Sequence, residues 1–489
     1  MKLRSLLTCT PIVFLLAACA ASPAADAPKL EPTRTRLPVA VNAGAARNAF
    51  STAAATPRDR AMDLPACSAL AGDFPVTTAA KMRDASSGRI VLVDNAGDLA
   101  VVEPGGENLR SLTSDAFVDR AGGRMRTYRF PAPSPDGSAL AFVRVDVDDE
   151  GVRQTVQVAS LNGQAAVREI EVVRGLNVPY IDWSPNGALL AYLAISGPEG
   201  EIRVAPVAGG EPQSVQRGVP AYWNWRPDVS GMQAMLAHVG GRAQDAEDGA
   251  AVTRIELDDG AARATPLAVL PGQFQSPHYS PDGRHTLYAV NTGPTDLLVV
   301  GDADGTPRCA LTRLDRGAFF AWSPDGVHVA MIDVVAPASQ TAPVRVFDVR
   351  DGSSRTVHRD ALMFFWSPDG AQLAVLSAIE ADGATRISAP AAQQPQLLMR
   401  VEVVDVTGAR SQRIADLHPT VSIVQYVQYF DQYSRVVTPW SPDSRSLVFA
   451  GAEESGGPAV VVVANFDAQG EFTVLRRVAD GTLAFFAHK

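Results

Sequence analysis

An all-β fold, a single β-propeller of eight four-stranded blades, is what this 489-residue sequence predicts. Three observations lead to it. A phrase of the form Trp-Ser-Pro-Asp-Gly recurs in seven copies. Each copy sits between two short apolar runs rich in β-formers, and the end of the chain restarts the pattern without completing it.

The copies begin at Pro133, Trp183, Trp225, Tyr279, Trp322, Trp366 and Trp440. Runs such as "ALAFVRV", "ALLAYLA" and "SLVFAGA" follow them, so each copy reads as strand, turn, strand. Two further strand-like runs split by a Gly- or Asp-containing turn follow most copies, as in "VRVFDVRDGSSRTVHR". Four strands in a unit of about 42 to 54 residues, with one longer unit, is the period of a propeller blade.

The turn has its own physics. Pro presets φ at the first corner, Asp can hold nearby backbone amides, and Gly takes the positive φ that finishes the hairpin. Asp136, Asp282, Asp325, Asp369 and Asp443 occupy one slot in successive repeats, whereas an active site needs one or two carboxylates. They read as scaffold. Trp183, Trp225, Trp322, Trp366 and Trp440 share another slot and read as packing between blades.

Strand counting explains the two ends. Residues 89–113 supply three strands without an inner one, and the terminal "TLAFFAHK" supplies an inner strand with nothing after it. Pairing the N- and C-terminal strands in one blade closes the ring and removes two free sheet edges. Seven blades is the alternative count, should the irregular units after 219 or 400 be misassigned.

Ahead of the repeats, Lys2 and Arg4 precede an apolar run from Pro11 to Ala18, too short to span a bilayer. The expectation is a signal peptide at 1–18 ending in Leu-Ala-Ala before Cys19, the pattern of a bacterial lipobox, so that Cys19 carries the lipid. Residues 19–87 then form the lipidated Cys and a flexible tether, Ala-, Pro- and Thr-rich at first, and 88–489 the propeller. Buried acyl methylenes contribute about 0.8 kcal/mol each, enough to hold the body on a membrane. Ala20, where an Asp could stand, points to the outer membrane of the cell envelope with the body facing the periplasm.

The net charge of −10 becomes about −12 once Lys2 and Arg4 leave with the signal. No basic run is present, which points away from nucleic acid. The seven histidines never pair at ligand spacing, so neither a metal nor another cofactor is expected. Beyond Cys9 and Cys19 only Cys67 and Cys309 remain, and they form either one disulfide or two buried thiols.

The repeated Trp-Ser-Pro-Asp-Gly followed by an apolar strand resembles the TolB-like propeller repeat, a relative of the WD-repeat blade, over roughly 88–489. The resemblance implies the fold. It does not transfer partners, because TolB carries an N-terminal α/β domain and six blades where this chain has a tether and eight. Similar repeats accompany a hydrolase domain in prolyl-oligopeptidase-type enzymes, but no Gly-x-Ser-x-Gly elbow occurs here.

For function, the sequence therefore points to a binding or scaffolding lipoprotein for a protein or glycan partner. The alternative is a propeller hydrolase or lyase with a site at the channel mouth, which would require a His and a carboxylate converging from several blades. Two loops exceed the blade minimum: residues 380–396, read as a mobile hairpin loop, and 421–437, whose Tyr426, Tyr429 and Tyr433 beside Arg435 make a contact patch, or else pack on their own blade. Arg129, Arg316, Arg359 and Arg435 precede inner strands at similar offsets and could line a mouth for anionic groups. The acidic run at 146–151 lacks the spacing of a calcium loop and reads as a solvated hairpin.

Overall fold

The structure is a computed structural model that describes residues 64–70 and 88–487, apart from 164–166, 198, 228–230, 232, 241–249, 259–260, 273–274, 294, 316, 334–341, 381–396 and 428–429. Cys19 and, apart from its first residue, the 380–396 loop thus lie outside the described residues.

Eight antiparallel sheets form a ring, numbered here as blades 1 to 8 along the chain. The first strands of their four-strand units are Leu483–Phe486, Arg124–Pro133, Asn177–Trp183, Ala221–Trp225, His278–Tyr279, Ala318–Trp322 and Met363–Trp366; in blade 8 that place is taken by a segment in which Trp440 bridges Leu447 and Thr438 bridges Phe486 of blade 1. Burial sets the direction from inside to outside. The second strands, such as Leu189–Ser196 and Ser446–Ala452, are mostly buried, whereas the outermost, such as Ala261–Pro266 and Phe472–Asp480, are mostly exposed.

Ring closure follows the strand count. Ile90, Val91, Leu92 and Val93 pair with Phe486, Phe485, Ala484 and Leu483, so the two ends of the propeller share blade 1. Two blades depart from four regular strands. Blade 2 adds a fifth, Phe117–Asp119, on the inner side of Arg124–Pro133. Blade 8 lacks a regular inner strand because Pro439 sits in it without an amide to donate; its carbonyl accepts from the Val448 amide instead.

The repeated turn is built as its chemistry requires. In blade 6 the Ser323 hydroxyl accepts the His328 amide at 2.9 Å, Asp325 accepts the Val327 amide at 3.0 Å, and Gly326 takes φ 70°. Burial alone would raise the Asp325 carboxyl, but hydrogen bonds from His328, Ser323 and the Val327 amide hold it at about 2. Ser134 with Asp136, Ser280 with Asp282, Ser367 with Asp369 and Ser441 with Asp443 repeat the lock. The motif tryptophans also stitch blades together: the indole N–H groups of Trp183, Trp366 and Trp440 donate to the carbonyls of Ala132, Ala321 and Phe365 on the preceding inner strands.

Cys67 and Cys309 are bonded, with their Cα atoms 4.9 Å apart. The disulfide joins the short helix Cys67–Leu70 to the outer strand of blade 5, where the Ala310 amide also donates to the Pro65 carbonyl at 2.9 Å. The acidic run at 146–151 makes the turn between Ala139–Asp148 and Gly151–Ser160. Asp146 within it is buried among the guanidinium groups of Arg126, Arg144 and Arg153.

Candidate functional site

The segment expected to be a contact patch is inside the ring. Two short helices, α1 (Val421–Val427) and α2 (Phe430–Val436), fall in this segment, and α2 packs against the inner strands of blades 3, 4, 6 and 7. Helices α1 and α2 plug the channel.

Thr420 caps α1: its hydroxyl accepts the Ile423 amide at 3.1 Å and donates to the Thr482 carbonyl at 2.5 Å, just before the closing strand. The Tyr433 hydroxyl donates to the Pro179 carbonyl at 2.5 Å, and the Trp223 amide donates to the Gln432 side-chain carbonyl at 3.3 Å. Asp431 accepts the Ser276 amide at 2.8 Å. Arg435 donates to the carbonyls of Pro277 at 3.0 Å and Trp223 at 2.9 Å. Three consecutive blades thereby hold α2.

On the other side, Phe130 adopts φ 53° at an irregularity between Arg129 and Ala132, a left-handed conformation that costs a bulky residue roughly 1 to 2 kcal/mol. It turns the ring onto Tyr433, 5.8 Å between centroids and stacked, and toward Tyr426 at 6.2 Å. Tyr180 meets Tyr433 edge-on at 5.0 Å and Trp223 at 4.8 Å.

The tyrosine patch is therefore corrected. Tyr426 is 6% and Tyr433 1% exposed, because their rings fill the channel; Tyr429 is outside the described residues. Of the four arginines expected at a channel mouth, two are placed elsewhere. Arg435 belongs to the plug, and Arg359 lies exposed on the outermost strand of blade 6, Ser354–Ala361. A similar offset before an inner strand does not fix which side of the crossover a residue occupies. Arg129 does lie on an inner strand, partly buried, with burial lowering its guanidinium pKa, while Arg316 is outside the described residues.

Charge is concentrated around the plug. Burial pushes the Asp182 carboxyl up to about 7, against the pull of Arg435 and of hydrogen bonds from the Trp183 amide and Tyr180. Burial likewise raises Asp431, and burial together with Arg435 holds the His278 imidazole well below its ordinary range. The Asp182 shift makes stability depend on pH. The unfolded carboxyl ionises near 3.9, so between about pH 4 and 7 the folded chain holds a proton that the unfolded chain has released, and stability falls as pH rises through that window. Asp182→Asn is expected to melt with wild type below pH 4 and progressively above it toward pH 7, with a constant gap beyond. Parallel melting curves at every pH would contradict the assignment.

One His does meet a carboxylate from another blade. The His358 Nδ1 accepts the Asp360 amide at 3.3 Å, which leaves Nε2 as the donor to Glu402 at 3.0 Å. Both ring nitrogens are engaged, so the pair ties blade 6 to blade 7. Among the described residues no group of three His, Cys, Asp or Glu is placed to hold a metal.

The other notable surface is blade 2. Of the ten exposed large apolar side chains among the described residues, five (Phe117, Val118, Val152, Val167 and Val172) fall in blade 2. Val118 pairs with Met125, Met125 with Val147, and Val147 with Val152, so these four form one row across four strands. Val118 and Val152, at its ends, are 62% and 50% exposed. The opposite face carries Arg126, Asp146 and Arg153 in the neighbouring row, already paired with one another. Nothing in the repeat pattern marked this row, because its residues belong to strands that run past the ring.

No protein-family model matches the chain. A curated relative, an uncharacterized protein of Agrobacterium fabrum, is 27% identical over 186 residues, which is 36% of this chain and 59% of that protein. Solved structures that it is similar to include TolB from Acinetobacter baumannii, at 18% identity and TM-score 0.34, covering 55% of this chain and 63% of that one. Another is oligogalacturonate lyase from Vibrio parahaemolyticus, at 13% identity and TM-score 0.43, covering 79% and 100%. The chain thus spans less than two thirds of both the curated relative and that TolB. The blade count rests on the chain's own strand pairing.

Proposed function

We propose that this protein is a lipid-anchored protein of the bacterial envelope, held on the outer membrane through Cys19 and facing the periplasm, whose propeller is a binding module for a protein partner. The observation that carries the reading is the apolar row of blade 2, exposed at Val118 and Val152 and half-buried at Met125 and Val147 between them. Exposed aliphatic side chains gain free energy by being covered, at about 25 cal/mol per Å² of apolar area, and a hydroxyl-covered glycan offers little to cover them with. A protein does. The short edge strand Phe117–Asp119 beside the row adds backbone groups that an extended segment can pair with. The plug turns the central channel into core, so the ring acts as a stiff frame that presents this blade.

A photo-crosslinking amino acid placed at Val118 in the full chain, in intact cells, tests the reading. A discrete protein adduct is expected at Val118, lost when Val152→Asp is added, and absent from the control site Leu475 on the outer strand of blade 8. Cys19→Ser should release the chain from membranes and weaken the adduct. Equal labelling at Val118 and Leu475, or an adduct indifferent to Val152→Asp, would contradict the assignment.

A further inference from the structure

Two guanidinium groups meet on one neutral oxygen at the edge between blades 1 and 2. Arg89 stands just before Ile90–Val93, and Arg110 opens the outer strand Arg110–Ser111, both in blade 1. Each donates to the Leu161 carbonyl, Arg110 at 2.9 Å, in the turn between Gly151–Ser160 and Val167–Arg174 of blade 2. Arg89 also donates to the Asn162 side-chain carbonyl at 2.7 Å. Both arginines are half-buried and keep contact with solvent. Of the five N–H groups on each guanidinium, Arg89 commits two and Arg110 one to described residues.

No carboxylate answers these charges. Neither arginine makes an ion pair among the described residues, and Glu107, three residues before Arg110, folds back over Gly105, where an added Cβ would strike its carboxylate. Elsewhere the arginines gather around carboxylates: Arg126, Arg144 and Arg153 at Asp146, and Arg400 and Arg413 at Asp416. A chain with 53 acidic and 43 basic residues has carboxylates to spare. Two like charges repel, and a single carbonyl dipole does not neutralise them, so the counter-charge at this edge comes from outside the fold.

We propose that Arg89 and Arg110 form a binding site for a phosphate monoester, whose two negative charges match theirs near neutral pH. The planar forks of the guanidinium groups offer parallel N–H pairs to its oxygens, a geometry that a carboxylate also meets but with one charge fewer. The organic part of the ester has Leu109 to lie against, 59% exposed beside Arg110. The assignment makes no use of the row from Val118 to Val152, so its test does not depend on the reading of that surface.

The test titrates the full chain with sn-glycerol 3-phosphate at low salt, followed by phosphorus NMR. Saturable binding is expected, with a dissociation constant on the order of 1 mM for so small a ligand. Arg110→Gln and Arg89→Gln should each weaken it about tenfold, and added salt should weaken it in wild type. Asn162→Asp, which puts a carboxylate where the amide meets Arg89, should abolish binding without lowering the melting temperature, which shows that the fold is intact. Dihexanoyl phosphatidic acid below its micelle concentration separates two sources of the ester. Tighter binding than glycerol 3-phosphate, with the gain lost in Leu109→Ser, identifies a lipid headgroup, and equal binding identifies a soluble ester. No saturable binding of glycerol 3-phosphate, acetate bound as tightly, or affinity unchanged in Arg110→Gln or in Asn162→Asp, would overturn the proposal.

Discussion

Deletion of residues 481–489 is expected to unfold the protein, not merely loosen one blade. Leu483, Phe485 and Phe486 are 5%, 2% and 0% exposed, and burying each contributes roughly 2 kcal/mol, or about 6 kcal/mol together. That is comparable with the ~5 to 15 kcal/mol that separates a typical folded domain from its unfolded chain. The loss spreads beyond the strand itself. Ile90 and Leu92 would lose their inner neighbours, and α1 would lose the Thr482 carbonyl that its capping threonine bonds. The expected readout is aggregation, or loss of the cooperative melt. A truncated chain that stays monomeric with the wild-type melting temperature would contradict closure through blade 1.

Tyr433→Ala is expected to cost about 4 kcal/mol, the usual range for removing a buried aromatic ring. Its ring contacts Phe130, Tyr180 and Tyr426, and its hydroxyl bonds blade 3. Tyr433→Phe isolates the hydroxyl and should cost about 1 to 2 kcal/mol by leaving the Pro179 carbonyl unmatched. Val421→Ser, on the exposed start of α1, should change stability by no more than about 0.5 kcal/mol. Urea midpoints order the three variants. If Tyr433→Ala and Val421→Ser shift the midpoint equally, the tyrosine is not core.

The ring was legible in the sequence because each blade repeats one local rule. Ser323, Asp325 and Gly326 fold their turn with bonds that reach no more than five residues, and the same rule recurs at Ser367 and Ser441. Closure was legible for a related reason: a missing inner strand at one end matched a surplus one at the other. The plug depends on contacts that no local rule expresses. Tyr433 meets Pro179 across a separation of 254 residues, and Arg435 meets Trp223 across 212.

A signal was nonetheless present. Ile423, Tyr426, Phe430, Tyr433 and Val437 recur at steps of three and four, the stripe of an amphipathic helix, and Thr420 stands at a capping position before them. The abundance of β-branched and aromatic residues there favoured a loop or strand reading, and burial in the channel overrode that propensity. The blade 2 row was hidden for a different reason. Val118, Met125, Val147 and Val152 become neighbours only through the pairing register, which depends on the irregularity at Arg129.

Native-state hydrogen exchange of the amides from Asp431 to Val437 tests the plugged ring most directly. If α2 is held by blades 3, 4 and 5 as core, these amides exchange only through global unfolding, with the same free energy as those of the inner strand Asn177–Trp183. Exchange at rates close to those of an unprotected peptide, while Asn177–Trp183 stays protected, would show that the segment is a surface loop and that the channel is open.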